Sequence, residues 1–350
     1  MKPLSGAEFA GRLPAPARQE GLVVRHPLAA ATRPAALISS PRSPSSAKNL
    51  GGLGNHARSG SQCPANPASL RVVSSAILQL LSWGFQQLEL TKVLRPRWTA
   101  EQLLSRRLGC RPVELYLEPP PIAAEQAVRF KADVAARAHS VPLQYLMGSA
   151  SFYGREFLVG PGVFIPRPET EVLVDVTLRQ AQGQRDVVID VGTGSGAVAI
   201  TLALESPGIQ VQAIDKSPTA LSFARRNADR HGCSVSFLEG DLLEPCASNS
   251  AGMIVANLPY LNPQEAAAWP RELHWEPWLA LDGDQEGMSL IQKLILQAGS
   301  VLKQDGRLLL EIGAGQVQQI QRYADAGGFR VSQVVSDLAG LERVMVLWKN

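Results

Sequence analysis

From about Glu169 onward, apolar runs of strand length alternate with helical stretches, and this alternation leaves few folds open to the chain. The runs are Val187–Val191, Gln210–Ile214, Val235–Leu238, Met253–Ala256, Arg307–Glu311 and Arg343–Trp348. Strands separated by helices in this way make a mostly parallel sheet with helices on both faces. Ligands of such α/β folds sit at the carboxyl ends of the strands. Chemistry is therefore expected in the segments that follow these runs.

The first run leads into Gly192-Thr193-Gly194-Ser195-Gly196, with a helix expected to begin near Ala197. Glycines let a backbone turn sharply and approach a ligand. The spacing alone is ambiguous, because Gly192, Gly194 and Ala197 also satisfy the looser dinucleotide fingerprint. Asp215 ends the second run, 23 residues after Gly192. A carboxylate there can accept hydrogen bonds from both hydroxyls of a ribose, which suits NAD and S-adenosylmethionine equally. Asp241-Leu242, in the turn after the third run, offers a polar edge and an apolar wall for an adenine, although an ordinary turn would look the same.

The fourth run ends in Asn257-Leu258-Pro259-Tyr260, and this loop discriminates. A planar amide or amino nitrogen is hard to methylate because its lone pair is delocalised. Two acceptors that take both N–H hydrogens hold such a nitrogen in line with a methyl sulfonium. The Asn257 side-chain oxygen and the Leu258 carbonyl can be those acceptors. Pro259 stiffens the turn, and Tyr260 offers a flat apolar face to the substrate group. Catalysis then consists of positioning and desolvation, with no general base needed before transfer. A nicotinamide dehydrogenase has no use for this loop, and a non-catalytic module would not need the glycine loop, Asp215 and Asn257 intact.

Upstream the chain changes character. Residues 1–70 are rich in Pro, Ser, Gly, Ala and Arg and lack apolar periodicity, so a disordered tail is expected. An over-long translation start, a transit peptide and a functional arm each account for it. The tail holds eight of the 34 lysines and arginines and two of the 31 acids, so residues 71–350 carry 26 basic against 29 acidic side chains. That balance gives no reason to expect direct nucleic-acid readout. Residues 71–140 are expected to form a small helical bundle: Ile77, Leu80, Leu81 and Phe85 recur at helical spacing, Thr99 with Gln102 reads as a capping box, and a helix spans Ala123 to Ala138. Residues 141–165 form a link in which Gln144 to Phe157 reads as a β-hairpin, and the catalytic domain is expected over 166–350. No apolar run is long enough to span a membrane. Four scattered cysteines and five scattered histidines suggest no metal site and fit a reducing cytoplasm. Trp269, Trp275 and Trp278 read as a packed cap over the sheet.

From about residue 72 onward the sequence resembles the HemK-like release-factor glutamine methyltransferases, a group of class I methyltransferases. The resemblance is carried by Pro142 to Gly148 with Phe152-Tyr153-Gly154, by Phe164-Ile165-Pro166-Arg167-Pro168-Glu169-Thr170-Glu171, by Glu276 to Leu281 with Gly283 and Gly287, and by Glu311-Ile312-Gly313 with Gln316. It implies a Rossmann-like seven-stranded domain that binds S-adenosylmethionine through Gly192, Thr193, Gly194, Ser195, Gly196, Asp215, Asp241, Leu242 and Asn257. It also implies that Asn257, Leu258, Pro259 and Tyr260 hold the substrate, a glutamine in the Gly-Gly-Gln loop of a class 1 peptide chain release factor, with N5-methylglutamine as product. The helical domain would help dock that partner, and a monomer is expected. In one place the chain departs from the family pattern: Leu258 stands where a proline is usual. Asn-Leu-Pro-Tyr also resembles the loop of adenine N6 methyltransferases, which is the alternative activity.

Overall fold

The structure, a computed structural model, describes residues 67–182, 186–284 and 287–349. The tail expected over 1–70 lies outside these residues except at its end, where Pro67–Leu90 form helix α1. Four more helices follow: α2 (Pro96–Leu108), α3 (Glu114–Leu117), α4 (Ala124–Ala138) and α5 (Leu143–Met147). Ile77, Leu81 and Leu88 of α1 share a buried core with Leu103, Leu104, Leu115, Phe130 and Val134. Helix α2 begins before the expected capping box. Pro96, whose fixed φ suits a first helical turn, starts it, and Thr99 lies inside the helix. In α4 the backbone N–H of Ala123 donates to Gln126 Oε1 at 2.9 Å, which satisfies one orphan donor of the first turn.

The hairpin is shorter than expected. Gln144 to Met147 belong to α5, because Pro142 leads into a helical turn and Gly148, at φ 74°, ends it. Leu143, Leu146 and Met147 then pack on the bundle core. The strands that remain are β1 (Ser149–Phe152) and β2 (Arg155–Leu158), antiparallel, with Gly154 at the tip.

The larger part runs α6 (Glu171–Ala181), β3 (Val187–Val191), α7 (Ala197–Glu205), β4 (Gln210–Asp215), α8 (Pro218–His231), β5 (Ser236–Glu239), β6 (Ala251–Ala256), α9 (Ser289–Val301), β7 (Leu302–Glu311), α10 (Val317–Ala326), β8 (Phe329–Ser336) and β9 (Glu342–Lys349). The seven strands order as β5-β4-β3-β6-β7-β9-β8. Neighbours from β5 to β7 are parallel, and β9 enters antiparallel between β7 and β8. This is the class I methyltransferase arrangement expected from the sequence, with β8 as a strand the apolar pattern did not announce. Strand order reverses at β3, flanked by β4 on one side and β6 on the other. A crevice opens at such a switch point.

Buried polar side chains tie the hairpin to this crevice. Asn227 of α8, fully buried, accepts from Leu158 N at 2.6 Å and donates to the carbonyls of Leu158 at 3.1 Å and Ser195 at 2.8 Å. Glu171 accepts from Tyr153 N at 2.7 Å. Among the described residues no helix is long and apolar enough to cross a membrane.

Candidate active site

One cavity of about 380 Å³ opens where the carboxyl ends of β3, β4 and β6 meet. Its lining includes Gly192, Thr193, Gly194, Ser195, Asp215, Asp241, Leu242, Asn257, Leu258, Pro259 and Tyr260, so the structure brings together residues scattered over the sequence. Gly196 is the exception. It does not line the cavity, and a Cβ there would stand 2.9 Å from Ile200 and 3.1 Å from Ala224. Its φ of 80° and the close pass of α8 account for the glycine.

Buried carboxylates shape the glycine loop. Asp190, at the end of β3, accepts from Thr193 Oγ1 at 2.6 Å and from Ala199 N at 3.2 Å. Burial pushes its pKa up to about 7 against those donors. Asp215 accepts from Gly194 N and Ser217 N, each at 2.8 Å, so one carboxylate both braces the loop and faces the cavity. Its pKa is raised by burial, and the backbone donors oppose that rise. Asp241 is held below the usual carboxylate range, chiefly by Lys293 Nζ at 2.8 Å.

On the other side of the cavity the Asn257 loop is braced from three directions. Leu258 is buried and faces Gly192, where a Cβ would come within 3.2 Å of it. Gly283 and Gly287 pass so close behind the loop that a Cβ at the first would lie 2.7 Å from Tyr260 Cα, and one at the second 2.4 Å from Tyr260 O. Gly313, after β7, seats against the Tyr260 ring and donates its N–H to Gln316 Oε1 at 2.8 Å. Burial raises the Tyr260 hydroxyl above its ordinary pKa. Asn257 Nδ2 donates to Thr170 Oγ1 at 3.0 Å. Thr170 is buried, as is Glu311 at the end of β7.

The segment between β6 and α9 forms the outer wall. Leu273, Pro277, Leu279, Ala280 and Leu281 line the cavity. Glu276, buried, pairs with Arg167 and accepts from Ile165 N at 3.0 Å, holding the Phe164–Arg167 wall in place. Glu272 pairs with Arg137 of α4, and Trp275 Nε1 donates to His139 O at 3.3 Å, so the same segment grips the helical part. Trp275 and Trp278 are about half exposed, at 48% and 50%, and do not form the packed cap that was expected. No group of His, Cys, Asp and Glu among the described residues could hold a metal.

Comparison with known proteins gives this arrangement a place. The Methyltransferase small domain family matches residues 156–271, and the PrmC N-terminal domain family matches residues 79–148. The release factor glutamine methyltransferase of Koribacter versatilis is 41% identical over 77% of this chain and 96% of its own. That of Geobacter sulfurreducens is 36% identical over 77% and 95%, and that of Thermodesulfovibrio yellowstonii 37% over 72% and 92%. The chain belongs to the release factor glutamine methyltransferase family.

Within this family's framework, four residues escaped the sequence reading: Asp190, Thr170, Asn227 and Glu311. Each lies inside a motif already noticed or on an amphipathic helix, where spacing cannot separate a buried hydrogen-bonding role from simple packing. A polar residue in an otherwise apolar run, as Asp190 is among Val187–Val191, was the available signal.

Proposed function

We propose that this methyltransferase uses S-adenosylmethionine to methylate N5 of a glutamine in the Gly-Gly-Gln loop of a class 1 peptide chain release factor. What carries the proposal is the Asn257–Tyr260 loop, which lines the same cavity as the glycine loop in a chain of this family. The cavity volume lies within the ~300–1,000 Å³ usual for small-ligand sites. Gly192, Thr193, Gly194 and Ser195 would hold the cofactor's amino-acid end, Asp215 its ribose, and Asp241 with Leu242 its adenine. S-adenosylmethionine supplies an electrophilic methyl group.

The chain's own residues account for the remaining chemistry. As a methyl group joins an amide nitrogen, positive charge develops on that nitrogen and its N–H groups become stronger donors. Fixed acceptors at Asn257 Oδ1 and the Leu258 carbonyl stabilise that charge without reorganising. They also fix the nitrogen's direction of approach, an effect worth orders of magnitude in rate. Phe164, Tyr260 and Leu261 make the walls apolar and exclude water. The helical part, residues 71–140, is assigned to docking the partner, and the enzyme to the cytoplasm as a monomer. The adenine N6 alternative is not favoured, since the relatives named above carry the glutamine activity.

The test is label transfer from tritiated S-adenosylmethionine to a purified release factor, to the same factor with its loop glutamine changed to alanine, and to total RNA. Label on the intact factor alone, lost with Asn257→Ala, supports the proposal. Label on RNA and none on the factor would overturn it.

A further inference from the structure

The least regular part of the pocket's frame is the stretch 262–275. It is built of short 3₁₀ turns, Pro263–Ala268 and Leu273–Trp275, whose backbone hydrogen bonds reach only a few residues along the chain. Its base is closed where Leu261 N donates to Leu281 O at 3.1 Å and Gly283 N to Leu261 O at 3.0 Å. Just after it, Glu276 holds Ile165 and Arg167. Between those points, among the described residues, the hydrogen bonds and ion pairs that leave the stretch run to the helical part. Glu272 pairs with Arg137, and Trp275 Nε1 donates to His139 O at 3.3 Å. Leu273, which lines the cavity, sits between these two anchors.

Arg137 lies in the last turn of α4 and is 5% exposed. A cation there meets the negative end of the helix dipole. Ser140, at φ 67°, turns the chain back, and Val141 O accepts from Arg137 Nη1 at 3.0 Å. Nη2 pairs with Glu272, and Nε is buried without a hydrogen-bond partner. A buried guanidinium with an unmatched N–H is costly, and an apolar side chain would serve packing alone with less penalty. A group retained under those conditions calls for an explanation beyond packing. Its ionic partner stands 135 residues further along the chain, on the turn that carries Leu273.

We propose that Arg137 is a positioning residue for the methyl-transfer pocket: acting through Glu272, it fixes the Leu273 edge of the outer wall, so that the helical part completes the pocket. This deepens, and rests on, the reading of that cavity as the site of glutamine methylation. The glycine loop, Asp215, Asp241 and Leu242, assigned to the cofactor, lie on other elements, and neither anchor touches them. Loss of the tie therefore leaves cofactor binding in place and lets the wall shift against the substrate. Misplacement by about 1 Å costs about 100-fold in rate, so a smaller shift is still measurable.

Two measurements on the full chain test this. In steady-state methylation of a release factor, Arg137→Gln and Glu272→Gln are each expected to lower kcat about tenfold, the effect of a wall displaced by a fraction of an ångström. The dissociation constant for S-adenosylmethionine stays within about threefold, as expected when ground-state binding is untouched. The double variant is no slower than either single one, because the effects of two residues joined in one pair do not add. Independently of any substrate, hydrogen exchange read by mass spectrometry should be at least about tenfold faster over 262–281 in both single variants, and unchanged in α1 and β6. The Glu272 side chain is 47% exposed, so Glu272→Gln keeps the test open where Arg137→Gln fails to fold. Unchanged kcat in both single variants, or a double variant slower by the product of the two, overturns the tie. So does exchange that stays unchanged over 262–281, or that rises equally in α1. Failure of the wild-type protein to label the factor counts against the glutamine assignment alone, because the exchange measurement still decides the tie.

Discussion

Replacing Glu311 by glutamine should make the protein more stable at alkaline pH, and the size of the gain can be worked out. The carboxyl is almost completely buried, and burial pushes its pKa from 4.5 up to about 7. The folded value lies above the unfolded one, so the folded state holds the proton more tightly. Stability attached to this group is therefore present below pH 4.5 and lost as pH rises through 7. A shift of about 2.5 units corresponds to ~3 kcal/mol at pH 8. Glutamine removes that penalty. The gain is ~3 kcal/mol at pH 8, or roughly 6–12 °C in Tm for a domain of this size. At pH 4.5 the gain should vanish. Thermal unfolding of both proteins at half-unit steps from pH 4.5 to 8 is the assay; other titrating groups are common to both and cancel in the difference. A difference in Tm that does not change with pH, or a glutamine variant less stable at pH 8, would refute the reasoning.

Four further outcomes are expected. Activity of the wild type should rise with pH through about 7 as Glu311 ionises among Thr170, Asn257, Arg343, Glu169 and Tyr260, and this limb should be absent in Glu311→Gln; Asp190, also near 7, is common to both. Gly283→Ala forces a methyl group against the Tyr260 backbone, and should lower kcat about 100-fold through displacement of the loop while calorimetry finds cofactor binding intact. Asn227→Ala strands three backbone groups, one buried and two partly buried, and urea unfolding should register a loss of about 2–4 kcal/mol. Leu258→Pro keeps the carbonyl and should retain methyl transfer within severalfold, at about 1 kcal/mol of stability from reduced apolar burial; complete loss of transfer would mean that the leucine side chain itself matters.

How much was legible in the sequence follows from what each residue has to do. Strands β3 and β6 are buried on both faces by helices, so they appear as apolar runs, interrupted only by Asp190. Strand β8 lies at the sheet edge, mostly exposed, and its Arg330, Ser332 and Gln333 hide it among loop-like residues. The start of α2 was misplaced because a capping-box pattern at Thr99 competed with Pro96, and the proline's fixed φ decided it. The cavity-lining loops were readable because each follows a strand, the one place where an α/β sheet gathers its ligands. At Gly196 the close approach of α8, which no local pattern encodes, also demands a glycine. Thr170 and Asn257 each lie within a motif, but their hydrogen bond joins segments far apart in the chain, and only the fold reveals it.

The position of β9 bears on how this gene can break. Every residue lining the cavity precedes Phe329, yet the strand seated between β7 and β8 begins at Glu342. A premature stop codon anywhere in the α10–β9 stretch would spare all the codons for the pocket. The truncated product would nonetheless expose the edge of β7, with Leu308 and Leu310 in its core-facing rows, and any part of β8 that remained would lack a neighbour. Nonsense alleles in the last tenth of the gene should thus behave as nulls, through aggregation or degradation of the product, although they encode every side chain that touches the ligand cavity.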